Sequence, residues 1–209
     1  MFDAHCHLGT GHFNALVCTS RPDEYKAAAS CGAAIGLLPP FSDEDREIFF
    51  RTLNENPGLP IGEIGLDRRI ENIPSQMAFL LKALQRAKAE NRPVTLHVVG
   101  HTDKLFQVLD QIGPLSLIWH SFTGSFETAR EFMKRGGIIS LSERSLASKD
   151  IARLLALPFL LETDMKTGQE EQKVLARTYE KAAGLKRLEV NRLEERIEEW
   201  MDSIPGLKH

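Results

Sequence analysis

Residues 60–99 read PIGEIGLDRRIENIPSQMAFLLKALQRAKAENRPVTLHVV, and they contain one complete strand–helix–strand unit. The flanking runs Pro60–Leu66 and Val94–Val99 are apolar on both faces, as strands covered on both sides are. Between them, Pro74–Glu90 places Met77, Leu80, Leu81, Leu84 and Ala87 at helical spacing, behind a proline suited to a first turn. A strand that returns through a helix to a neighbouring strand makes a parallel pair with a right-handed crossover.

The same alternation extends in both directions. Upstream lie the strand candidates Phe2–Leu8, Asn14–Thr19 and Ala33–Leu38; downstream lie Leu115–Ser121, Ile138–Ser142 and Phe159–Thr163, which makes eight in all. Helical stretches fall between them: Asp23–Ser30, Ser42–Asn54 with Ser42 as N-cap, His101–Gln111, Ser125–Arg135 stopped by Gly136–Gly137, and Lys149–Leu155. A polar-faced pair, Glu170–Ala183 and Leu188–Ser203, follows, with the break between them expected at Gly184. Eight strand–helix units in 209 residues fit an α/β chain folded as a compact (β/α)8 TIM barrel, near the lower size limit of that fold. Residues 1–209 read as one domain, with the helices from about residue 170 packing on the barrel.

Composition narrows the function. The formal net charge of −3 argues against strong nonspecific attraction to nucleic acid, because phosphate binding depends on Lys and Arg displacing counterions. Cys6, Cys18 and Cys31 are odd in number and form no Cys-x-x-Cys pair, as expected of free thiols in a reducing compartment. The start, MFDAHCHL, lacks the basic and apolar regions of a signal peptide, and no apolar run approaches the roughly 18 residues of a membrane span. A soluble, cytoplasmic protein without a membrane partner is the expectation.

The chemistry-bearing residues are polar intruders on apolar strands. His5 and His7 are separated by one residue on the first strand, so they share a face. Glu63 sits between glycines that leave room for close approach, His97 lies in VTLHVV, His120 in LIWHS and Asp164 in FLLETD. All fall toward C-terminal strand ends, where a barrel enzyme assembles its active site from several strands. Four imidazoles and two carboxylates are about what two adjacent divalent ions need, with one carboxylate bridging. Mixed N/O ligation suits Zn²⁺, Mn²⁺, Fe²⁺ or Ni²⁺ better than Ca²⁺, with Mg²⁺ a further candidate.

FDAHCHL, IGEIGLD, the His97 strand, WHSFTGS and LLETD follow one another in the order and spacing of the TatD-type metal-dependent hydrolases, which this chain resembles from residue 2 to about 164. The resemblance implies an amidohydrolase-like TIM barrel that hydrolyses phosphodiester bonds, commonly in DNA, with two divalent ions. Carried over by motif, His5, His7 and Asp164 would hold one ion, His97 and His120 the other, and Glu63 would bridge them. Asp164 would orient the attacking water and take its proton, which makes Asp164 and Glu63 the catalytic pair. Asp67 reads either as a carboxylate behind the ligands or as a helix cap; Glu162 reads either as a supporting carboxylate or as a plain strand-end residue.

The departures from the family fall on substrate positions. Leu38, in IGLLPP, stands where the family carries an imidazole; Val98 and Val99 replace a small residue and an arginine suited to grasping phosphate. The ETD motif continues as MKTGQEE, without the family's long loop. His101 could partly substitute for the lost arginine and Lys166 could contact a phosphate, although surface residues are the plainer reading of both. Arg68, Arg69, Lys104 and Arg144 could form a modest basic lip. The leading function is a metal-dependent phosphodiesterase or deoxyribonuclease acting on DNA or a small phosphoester. Beside it stand a metal-dependent amidohydrolase or lactonase, and a non-catalytic metal-binding scaffold docking through Leu188–Ser203.

Overall fold

The computed structural model describes residues 1–10 and 14–206. Eight strands run β1 (Asp3–His7), β2 (Ala15–Cys18), β3 (Ile35–Leu37), β4 (Ile61–Asp67), β5 (Val94–Val99), β6 (Leu117–Trp119), β7 (Gly137–Leu141) and β8 (Phe159–Leu161). They match the eight expected runs. Strands β3 to β8 pair in sequence order, all parallel, and β1 pairs parallel with β2.

Two bridges close the ring. Cys18 pairs with Ala34 at one seam, where the Thr19 N–H donates to the Ala34 carbonyl at 3.1 Å. At the other seam His7 pairs with Lys166, the Asp164 N–H donates to the His5 carbonyl at 3.0 Å, and the His7 N–H to the Met165 carbonyl at 2.7 Å. The strands therefore form the expected barrel.

Helices cover the outside: α1 (Tyr25–Cys31), α2 (Asp43–Glu55), α3 (Ile73–Ala89), α4 (Thr102–Ile112), α5 (Phe126–Met133), α6 (Ile151–Leu154), α7 (Gln169–Lys186) and α8 (Val190–Asp202). Among the described residues they follow β2 to β8; β1 and β2 are joined by residues 8–14, too few for an ordinary crossover helix. Ser42 caps α2 as expected, accepting from the Asp45 N–H while the Asp45 carboxylate accepts from the Ser42 N–H. Helix α3 begins one residue before Pro74, capped by Asn72.

The last helices differ from expectation. The chain does not break at Gly184; α7 runs through it and stops at Arg187, whose φ of 54° turns the backbone into the left-handed region. An interior glycine costs a helix only about 1 kcal/mol, and buried Leu175, Tyr179, Ala182 and Ala183 hold the segment in register against that cost. The Tyr179 hydroxyl donates to the Phe2 carbonyl at 2.9 Å, tying α7 to the start of β1. Helix α8 buries Leu193, Ile197 and Met201 at four-residue spacing, and Trp200 packs on Phe159 of β8 with ring centroids 5.2 Å apart.

Two glycines test this account in opposite directions. A Cβ on Gly65 would collide with the His97 carbonyl oxygen, whereas one on Gly184 would meet only solvent. Gly65→Ala is expected to destabilise by about 3 kcal/mol or more, and Gly184→Ala to stabilise by about 0.5–1 kcal/mol, in denaturant unfolding. Equal effects of one sign would contradict the packing described.

Candidate metal centre

The centre is assembled where the first, fourth, fifth, sixth and eighth strands converge. His5 and His7 project to one side of β1, their rings edge to face with centroids 4.9 Å apart. Glu63 is the third residue of β4, deeper than the strand-end position expected of it, and it is only 4% exposed. Its peptide reaches that depth because Gly36 of β3 has no Cβ, which would otherwise overlap the Glu63 nitrogen; the Glu63 N–H donates to the Thr19 carbonyl at 2.7 Å.

His97 lies within β5, while His120 follows β6 and Asp164 lies three residues beyond β8. The ladder continues past both short strands: the His120 N–H donates to the Leu96 carbonyl at 3.1 Å, and the Glu162 N–H to the Leu141 carbonyl at 3.2 Å. Ser121 and Asp164 then turn the chain with φ of 49° and 58°. Non-glycine residues seldom adopt such angles, and here they stand beside the centre.

All six expected side chains meet around the two oxygens of Glu63. Its Oε1 lies 3.7 Å from His7 Nε2; its Oε2 lies 3.0 Å from His120 Nε2, 3.3 Å from His97 Nδ1 and 3.9 Å from His5 Nε2. Asp164 Oδ1 is 3.2 Å from His7 Nε2 and 3.4 Å from His5 Nε2. Three ligand groups result, each with its donor atoms within 4.8 Å of one another: His5, His7 and Glu63; Glu63, His97 and His120; and His5, His120 and Asp164.

Burial makes this arrangement costly unless something satisfies it. Both ring nitrogens of His5 and the Oε2 of Glu63 are buried without a well-aligned hydrogen-bond partner. Nitrogen and carboxylate donors aimed at a common space, with buried atoms left orphaned, fit a divalent cation.

The electrostatics follow the same logic. Burial alone would raise Glu63, but the adjacent imidazoles of His120 and His97 hold it well below the usual carboxylate range. Burial would likewise raise Asp164, and His5 and His7 outweigh it and pull the carboxyl down. Burial depresses His5, assisted by the neighbouring His120. His120 feels burial too, yet Glu162 and Glu63 on its two sides push it up to about 10.

A second set of polar groups aims these side chains. Asp67 Oδ2 lies 3.3 Å from His97 Nε2, leaving Nδ1 to face Glu63. Asp67 is therefore the carboxylate behind His97; Asn72, not Asp67, caps α3. The Arg69 guanidinium grips both Asp67 oxygens and, as the main cause, brings its pKa down to about 2. Glu162 is fully buried 3.7 Å from His120 Nδ1 and accepts from the Ser121 N–H at 2.7 Å.

Asp3, which the reading of the sequence passed over, joins β1 to the end of β8. Its carboxylate accepts from the Thr163 N–H at 3.1 Å, the Thr163 hydroxyl at 2.6 Å and the His5 N–H at 3.2 Å. A charged residue two positions before His5 in FDAHCH was the available signal. Above the centre opens a cavity of about 570 Å³, lined by His97, His120 and Asp164 together with Arg68, Arg69 and Arg144. Lys104 and His101 are not among its lining; His101 instead sits at the N-cap of α4. Lys166 is exposed and pairs with His7 through its backbone.

Known proteins share this architecture. The family model described as TatD related DNase matches residues 19–204. An uncharacterised metal-dependent hydrolase of Methanocaldococcus jannaschii is 27% identical, over 93% of this chain and 92% of its own. Among solved structures, the TatD homologue YjjV of Escherichia coli superposes with a TM-score of 0.79 at 24% identity, covering 98% of this chain and 97% of its own. A TatD family hydrolase from Entamoeba histolytica gives 0.81 at 12% identity, over 99% and 98%.

The centre predicts a pH response. His120, raised from an ordinary 6.5 to about 10, contributes stability that is complete below pH 6.5 and lost as pH rises toward 10. Glu63 and Asp164, both held low, contribute stability present above their ordinary values and lost as pH falls through their depressed ones. Denaturant unfolding of chelator-treated protein across the alkaline range should show the first limb, and His120→Gln should flatten it. Loading divalent metal near pH ~7.5 should release protons, fewer of them in His120→Gln; equal release from both proteins would contradict the assignment.

Proposed function

From its membership of the TatD-related DNase family, we infer that this chain, a metal-dependent hydrolase, uses the centre around Glu63 to cleave phosphodiester bonds in DNA or a small phosphoester. The observation that carries this reading is the placing of Glu63 among the imidazoles: one oxygen faces His7, and the other faces His97 and His120 with His5 3.9 Å away. Were two ions bound, His5, His7 and Asp164 would hold one, His97 and His120 the other, and Glu63 would serve both. Zn²⁺, Mn²⁺, Fe²⁺ and Ni²⁺ match the mixed nitrogen and oxygen donors.

When bound, such ions make water a stronger acid and offset charge on phosphoryl oxygens. The side chains supply the rest. Asp164, 41% exposed at the cavity and held ionised, aligns a water and takes its proton. Asp67 and Glu162 keep the rings of His97 and His120 in one orientation. Residues 1–209 act as one domain in this reading, placed in the cytoplasm. No helix among the described residues is long and apolar enough to cross a membrane.

A second reading, hydrolysis of a small amide or lactone, draws support from Val98 and Val99, which present an apolar stretch to the cavity. Protein stripped with a chelator and reloaded with single metals, assayed against a single-stranded oligonucleotide, bis(4-nitrophenyl) phosphate and a panel of amides and lactones, separates the two. Metal-restored phosphodiester cleavage is expected. His120→Ala and Asp164→Asn should each lower kcat/KM by about 10²–10⁴-fold without loss of fold by circular dichroism. Turnover confined to amides or lactones would establish the second reading instead, and unimpaired variants would remove the centre from the reaction.

A further inference from the structure

At the end of β5 the cavity is lined by Val98 and Val99, which carry no charge. The cations that line it come from either side. Arg68 follows β4, and its N–H donates to the Val99 carbonyl at 2.9 Å. Its side chain lies over Gly100, where a Cβ would come within 2.5 Å of the Arg68 Cδ. Gly100 also has φ of 71°, so the backbone there is shaped to let Arg68 pass across the end of β5. Arg144 enters the same cavity from the loop after β7.

Both arginines are exposed, and neither guanidinium has a hydrogen bond or ion pair among the described residues. Arg69, also in the lining, differs: its guanidinium is held by Asp67. A lone exposed arginine is ordinarily only solvated. Two unpartnered arginines lining one cavity beside a cluster of candidate metal ligands are of the chemistry that recognises the oxygens of a phosphate anion. The volume is that of a small-ligand pocket, enough for a nucleotide-sized unit.

We propose that Arg68 and Arg144 together bind a phosphate of the substrate, supplying from β4 and the β7 loop the cation that β5 lacks. The proposal rests on the phosphoesterase reading above, and it makes the two residues determinants of specificity for anionic over neutral substrates. Guanidinium-to-phosphate hydrogen bonds are charge-assisted, so removing either should weaken binding by about tenfold or more.

The test uses the full chain loaded with metal. Arg68→Ala and Arg144→Ala should each raise KM for bis(4-nitrophenyl) phosphate about tenfold while kcat changes less than about twofold, with partial recovery in the Lys variants. Hydrolysis of the uncharged ester 4-nitrophenyl acetate should be unaffected, and the Kd of thymidine 5′-monophosphate by calorimetry should rise in parallel. Unchanged KM and Kd, or equal losses on the charged and uncharged esters, overturn the proposal. If the unmodified protein leaves phosphodiesters intact, the phosphoesterase reading fails separately, and the nucleotide titration alone decides on the arginines. Weaker binding in both variants then supports them as an anion site; equal binding, or none by the unmodified protein, overturns it.

Discussion

A carboxylate enclosed by four imidazoles is the constraint on which the top of this barrel depends. Glu63 is almost entirely removed from water, and so are His5 and His120. Burying such groups is unfavourable unless each finds a compensating charge or hydrogen bond. Carboxylate–imidazole attraction compensates part of it, as the depressed Glu63 and the raised His120 show. The nitrogens of His5 and one Glu63 oxygen stay without a well-aligned partner, so the compensation inside the protein is incomplete. The surrounding backbone is cut to the same requirement: Gly36 admits the Glu63 peptide and Gly65 admits the backbone of His97.

Closure of the barrel and assembly of the centre are one event. The seam between β1 and the segment after β8 is made by His5, His7, Asp164, Met165 and Lys166, two of which carry candidate ligands on β1 and one beyond β8. Asp3 reinforces it by accepting from Thr163 and from the His5 N–H. Burial raises the Asp3 carboxyl well above its ordinary value, with the bond from Thr163 opposing and Glu171 adding to the rise. An open barrel would leave His5 and Asp164 apart, so the most distant backbone ladder in sequence is also the one that completes the centre.

The parts of this arrangement legible in the sequence are those with a local signature. Each strand is an apolar run, and each candidate ligand is a polar residue that interrupts or ends one, so both could be read without knowing what touches what. The supporting partners are harder to read, because what each of them touches is remote in sequence or ambiguous. Asp3 and Thr163 are 160 positions apart, and Arg69 looks like any surface arginine until Asp67 is seen beside it. Asp67 itself was ambiguous because a carboxylate after a strand serves equally well as a cap, and only the position of His97 decides between them. The helix stop was misplaced at Gly184 for a related reason: glycine propensity is worth less than the packing of a buried face, which depends on what the helix lies against.

The two sides of the site are built differently, and this bears on what can vary. Among the candidate ligands His5, Glu63 and His120 are buried and crowded together, so a change in one leaves the others uncompensated. At the cavity mouth Arg68, Arg69 and Arg144 are exposed, on segments that follow strands. Arg69 shows how the two sides meet: by binding Asp67 it helps fix the orientation of His97, and its charge is thereby partly withdrawn from the cavity. What remains at the mouth are two guanidiniums without partners among the described residues and the apolar Val98–Val99 stretch, so the character of the opening is set by residues separate from the buried ligand cluster.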